Sequence, residues 1–175
     1  MRTQSEIKTK FDRVAKALAI KPSTGMGKGV SPTRIAGGLA CETREGEWTL
    51  RADMPEAAGG EGSAPTPGVL GRAALGSCLA IGYMLWASKL EVPVSSLEVE
   101  VEAHWDDGAT FGTSDSPPGY LEIRYTVRVA SDAPEEAIRR FIDAGDRHSP
   151  YLDVFCRPQS CQRSIEIIRT KPLRA

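Results

Sequence analysis

The chain has 175 residues, 41% of them hydrophobic and 26% charged, with a net charge of −1 at pH 7. That is enough chain for one well-filled soluble domain. The near-neutral balance excludes the basic footprint of a nucleic-acid binder or of a protein drawn to an anionic membrane surface. Four cysteines, Cys41, Cys78, Cys156 and Cys161, fall short of a disulfide scaffold. The N-terminus is polar, without the apolar core of a secretory signal, so a reducing cytoplasm is the expected compartment.

Ser5 to Ile20 places Ile7, Phe11, Val14, Ala15, Leu18 and Ala19 on one helical stripe, ended by Lys21-Pro22-Ser23-Thr24-Gly25. A helix this short needs a surface to pack on, either its own domain or a partner subunit. Two strands are expected over Arg34–Thr43 and Glu47–Asp53, where Trp48, Leu50 and Ala52 alternate with polar residues. Met54 to Pro65 is rich in Gly, Ala and Pro. It reads as a connector or as a lid, and it lacks the Gly-Lys-Ser/Thr of a phosphate-binding loop.

Thr66 can cap the next helix and Pro67 suits its first position; helix continues to Ser88. Its apolar run, Ala73 to Ala87, is shorter than the ~20 residues of a membrane span and is flanked by Arg72 and Lys89. Two long strands follow. Leu97, Val99, Val101, Ala103 and Trp105 alternate with Glu98, Glu100, Glu102 and His104. Leu121, Ile123, Tyr125, Val127 and Val129 alternate with Glu122, Arg124, Thr126 and Arg128. One apolar and one charged face each suit an antiparallel sheet with one face covered, and the three glutamates can oppose Arg124 and Arg128. Asp106 to Gly119 makes the loop between them.

A further helix starts at Ser131 or Asp132, with Asp132 and Glu135 at capping-box spacing, and Gly145 ends it. Its stripe is Ala137, Ile138, Phe141 and Ile142. A last strand is expected over Arg163–Thr170. The order of elements is that of an α+β fold.

Cys78 is the residue with the most chemistry to offer. It lies about three turns into its helix, beyond the strong end of the macrodipole, so a thiolate there needs a cation from elsewhere in the fold. The alternative is a small apolar cysteine packed in a core. The run Gly59-Gly60-Glu61-Gly62, then Thr66-Pro67 and Ala73-Ala74-Leu75-Gly76-Ser77-Cys78, resembles the OsmC/Ohr family. So do Ser131-Asp132-Ala133-Pro134-Glu135-Glu136 and His148-Ser149-Pro150 downstream. The resemblance spans residues 30 to 170 and implies an OsmC-like α+β fold, with antiparallel sheets packed on a central Cys-bearing helix in an intertwined homodimer. It divides the chain into an N-terminal helical extension, 1–25, and an OsmC-like domain, 26–175.

The same resemblance makes Cys78 the peroxidatic thiol of a thiol-dependent hydroperoxide reductase, served by an early-strand Arg and by a Glu just after the helix-start Pro. Arg34 is the preferred Arg, because it precedes a Gly pair, with Arg44 as the other candidate. The Glu is missing: Gly68, Val69 and Leu70 follow Pro67, leaving Glu56 or Glu61 as substitutes. The family's second, resolving Cys is also missing, and Ser149 stands in its place. Resolution then falls to Cys156, Cys161 or an external thiol. No cofactor is implied, and two histidines in the whole chain argue against a metal site near His148 and Asp153. Three functions remain open. One is a peroxidase acting on an organic hydroperoxide or other small apolar substrate. The second is a Cys78–His148 acyl or thiol transferase. The third is a non-catalytic small-molecule-binding module on the same fold.

Overall fold

The computed structural model describes residues 2–168. Helix α1 (Gln4–Ile20) opens with a capping box in which Thr3 and Glu6 exchange hydrogen bonds. It packs on α2 (Pro67–Lys89) of its own chain. Phe11 meets Trp86 edge-on at 5.3 Å, Asp12 pairs with Lys89, and the Gln4 amide bonds Val92 O (3.0 Å) and Val94 N (3.1 Å). Within one chain, α1 is therefore a packing helix on its own domain.

The two early strands expected from the sequence are three: β1 (Thr33–Gly37), β2 (Ala40–Glu45) and β3 (Trp48–Ala52), an antiparallel meander. The stretch read as one strand, Arg34–Thr43, folds back at Gly38, whose φ of +53° is costly for any residue with a Cβ. The following segment, through a 3₁₀ turn at Glu56–Ala58, is gathered on Asp53. That carboxylate is 1% exposed and accepts from the backbone of Met54, Glu61 and Ser63 and from the Ser63 hydroxyl. Those bonds, led by Ser63, hold its pKa below the usual Asp value.

Thr66 caps α2 and Pro67 takes its first position, as the sequence indicates. Helix α2 buries Leu75, Leu79, Tyr83 and Ala87, a strict i, i+4 row, each at most 1% exposed. It packs on α4 (Glu135–Arg147), on β4 (Ser96–His104) and on α5 (Pro150–Cys156). Its 23 residues make it, by length and composition, the one helix among the described residues able to cross a bilayer. The expectation of too short a run counted only its apolar middle. Gly76 lets the helix approach β4, where an added Cβ would lie 3.4 Å from Val101.

Strands β4 and β5 (Glu122–Ala130) pair antiparallel along nine residues each. Leu97, Val99, Val101, Ile123, Tyr125, Val127 and Val129 face the core. On the wet face Arg128 engages Glu98 (3.2 Å) and Glu100 (2.6 Å). Arg124 lies opposite Glu102, as expected, but its ion pair is with Glu122 on its own strand, and Glu102 is taken by His104. Trp105 lies past the end of β4, with its indole under the Arg72 guanidinium. Between the strands, α3 (Asp107–Thr110) is a single turn.

Two boundaries differ from the sequence reading at α4. It starts at Glu135, because extended Pro134 occupies the cap position (ψ 142°) and the Ser131 hydroxyl bonds Pro93 O and Ala133 N instead. It also runs through Gly145 to Arg147. Gly145 is a packing residue: a Cβ there would sit 2.4 Å from the Tyr83 ring. The last strand, Arg163–Thr170, does not form over 163–168, which no strand among the described residues pairs. An unpaired segment has no ladder to join. Residues 169 and 170 lie outside the described residues.

Candidate active site

Cys78 is half-buried on α2. Its position turns it toward the junction between α4 and α5, where the chain passes His148 and Ser149 and enters α5 at Pro150. The Sγ of Cys78 lies 3.5 Å from the Oγ of Ser149, within sulfur hydrogen-bond range. Ser149 is 6% exposed, and its Oγ also accepts the Leu152 N–H (3.2 Å), which caps α5.

The junction is tied to α2 from below. The Tyr83 hydroxyl, five residues beyond Cys78 on the same helix, donates to Asp146 Oδ1 (2.5 Å). The Tyr125 hydroxyl, on β5, donates to Asp146 Oδ2 (3.2 Å). Burial, joined by the Asp146 charge and hydrogen bond, pushes the Tyr125 hydroxyl up to about 12 and the Tyr83 hydroxyl higher still. The backbone N–H of Ser149 donates to Asp146 O (3.2 Å). On the outer side His148 stacks on Trp86 (4.6 Å between centroids), and its Nδ1 lies 2.8 Å from Ala144 O. Toward the start of α2, the Tyr120 hydroxyl donates to Gly68 O (2.9 Å) and the Tyr120 ring stacks on Phe155 of α5.

The OsmC-like protein family model matches residues 60–161, which take in α2, both long strands, α4 and α5. The chain belongs to the OsmC-like family. Solved structures carry the same fold. An OsmC-like protein from Mycoplasma pneumoniae superposes with a TM-score of 0.64 at 17% identity, covering 74% of this chain and 88% of that one. An organic hydroperoxide resistance protein OsmC from Legionella pneumophila gives 0.55 at 16% identity, over 75% and 90%. An OsmC-like hydroperoxide resistance protein from Jannaschia gives 0.51 at 19% identity, over 78% and 91%. No curated protein matches the chain in sequence.

As an OsmC-like protein, the chain brings two of its sequence-marked positions together, Cys78 and Ser149, and leaves the others apart. Arg34 is exposed on β1, in register with Glu42, and no hydrogen bond or ion pair among the described residues joins it to Cys78. Arg44 is held by Glu42 at 2.7 Å. Glu56 and Glu61 are exposed on the connector, whose folding around Asp53 uses the Glu61 backbone. Cys156 and Cys161 are exposed, and Cys41 is half-buried on β2. No cluster of His, Cys, Asp and Glu among the described residues could hold a metal ion. Sequence reasoning missed Tyr83, Asp146 and Tyr125. The available signal was a tyrosine on the most apolar face of α2, because a buried phenol needs a polar partner.

Proposed function

We propose that this OsmC-like protein is a thiol-dependent peroxidase that reduces organic hydroperoxides through Cys78. The observation that carries the reading is the half-buried Cys78 sulfur on α2, 3.5 Å from the Ser149 hydroxyl, in a chain of the OsmC-like family. The Cys78 thiolate attacks one peroxide oxygen, and the O–O bond breaks. The sulfur keeps that oxygen as sulfenic acid, and the alkoxide takes a proton and leaves as an alcohol. Ser149 cannot form a disulfide. One low-molecular-weight thiol therefore condenses with the sulfenic acid, releasing water, and a second releases Cys78 as a thiol and departs as the disulfide. A reducing cytoplasm would supply both.

The working unit we propose is a homodimer in which Arg34 serves a Cys78 site. Support comes from the uncovered surfaces of the single chain. Val69, Ala73, Ser77, Ile81 and Leu85 form an exposed i, i+4 ridge along α2. The β1–β3 sheet leaves Ile35, Trp48 and Leu50 exposed and does not pack extensively on any element outside itself.

A second reading, a non-catalytic binding module, is favoured by the apolar groove of about 530 Å³ between α1, α2 and β4, lined by Ile7, Ile81, Met84, Leu85 and Leu97. The absence of the family Glu after Pro67 favours it too. A Cys78–His148 transferase lacks such support, since the hydrogen-bond partner of Cys78 is Ser149. The deciding assay is consumption of an alkyl hydroperoxide with a dithiol reductant. The wild type should turn over and Cys78→Ser should fall to background, because serine has no comparable anion near neutral pH. Turnover that survives in Cys78→Ser would remove Cys78 from the mechanism; a wild type without turnover leaves the binding module.

A further inference from the structure

We propose that Ser149 is a catalytic residue of this site, whose hydroxyl donates to the Cys78 thiolate and favours the ionised sulfur. The inference deepens the peroxidase reading and rests on Cys78 being the reacting thiol. A hydroxyl has one proton to give and two lone pairs to receive with. One lone pair of Ser149 receives the Leu152 N–H, and the other contact of its oxygen is the Cys78 sulfur. Ser149 is 6% exposed, so water has little access to compete for the proton. A thiolate has no proton of its own. In the ionised state the bond can run only from the Ser149 O–H to Sγ.

The neutral thiol offers a weak S–H donor and a weak acceptor, whereas a hydrogen bond to an anion is about twice as strong as a neutral one. The contact therefore stabilises the ionised sulfur more than the neutral thiol. The distance is set by the surrounding frame. Asp146 receives hydroxyls from Tyr83, on the helix of Cys78, and from Tyr125, and its carbonyl receives the Ser149 N–H. Asp146 and the two tyrosines are positioning residues for the donor. Serine at this position gives up the disulfide but keeps a short polar group within reach of the sulfur.

The test is the pH profile of Cys78 alkylation by iodoacetamide, followed on the Cys78 peptide by mass spectrometry in the full chain. The variants are Ser149→Gly and Ser149→Thr. Glycine is accepted at a helix N-cap, so α5 keeps its start while the donor is lost. Threonine keeps the hydroxyl. The midpoint should move up by about one pH unit in Ser149→Gly, a tenfold loss of thiolate below the midpoint, and stay at the wild-type value in Ser149→Thr. An unchanged midpoint in Ser149→Gly overturns the proposal, even if hydroperoxide turnover is intact. A shifted midpoint in a protein whose Cys78 no hydroperoxide oxidises upholds the donor and overturns the peroxidase reading alone.

Discussion

At Cys78 the sulfur has one hydrogen-bonding neighbour among the described residues, the Ser149 hydroxyl, and a hydroxyl cannot close a disulfide. The first thiol after Ser149, Cys156, ends α5 seven residues on, about 10 Å further along the helix axis at 1.5 Å per residue. A bridge needs Cα atoms within about 7 Å. One equivalent of hydroperoxide should therefore leave Cys78 as a sulfenic acid that dimedone captures. Peptide mapping that finds Cys78 joined to Cys156 or Cys161 would refute this. Ser149→Cys, 3.5 Å from the sulfur in the present contact, should give a disulfide between Cys78 and the introduced thiol. The three-residue network of Tyr83, Asp146 and Tyr125 carries a pH signature of its own. Both hydroxyls are held neutral above the ordinary tyrosine value. Their contribution is complete below the unfolded tyrosine pKa of about 10, because only the unfolded chain ionises above it. Stability should fall as pH rises from about 10 toward 12, and the fall should be shallower in Tyr83→Phe, measured by urea unfolding across that range.

The elements that frame the site are held by close approach as much as by apolar area. Helix α4 meets α2 where Gly145 faces the Tyr83 ring, with no room for a methyl group. Gly145→Ala favours helix locally, yet its Cβ would press on a fully buried ring, so the variant should be less stable by about 1–3 kcal/mol. It should also disturb the Cys78–Ser149 contact, since Ser149 follows four residues later. Thermal unfolding checks the first effect and Cys78 alkylation the second; a variant as stable as wild type would mean that α4 can slide without cost. The amphipathic stripes of α1 and α4 and the alternation of β4 and β5 were legible because side-chain period is a local property of each element. The hairpin at Gly38 is not legible locally, because a Gly pair can also lie inside a strand. Gly145 reads as a terminator because a glycine near the end of a helical stripe usually is one.

At the scale of the whole molecule, one chain leaves much apolar surface uncovered. The α2 ridge from Val69 to Leu85, the groove beside it and Ile35, Trp48 and Leu50 of the β1–β3 sheet are open. Soluble proteins cover such patches with a partner, and a twofold dimer would let two α2 ridges pack on each other. Light scattering at micromolar concentration should return the mass of a dimer. Ile81→Glu, at 62% exposure in the single chain, should shift the mass toward the monomer and leave circular dichroism unchanged. A monomeric wild type would remove the partner from the proposed site, and with it the route by which Arg34 could reach a thiol.

The capped start of α2, the apolar faces of α1, α4, β4 and β5 and the family were determined by the sequence itself, because each is written in neighbouring residues or in a fixed period. The site was determined only in part. Cys78 and Ser149 could be marked as positions, but their contact joins residues 71 apart. The Tyr83–Asp146–Tyr125 network joins residues 63 and 21 apart. Which polar groups meet across such separations depends on how helices and sheet settle against one another, and no local pattern records that. The same holds for residues 163–168, which find no strand to pair with among the described residues.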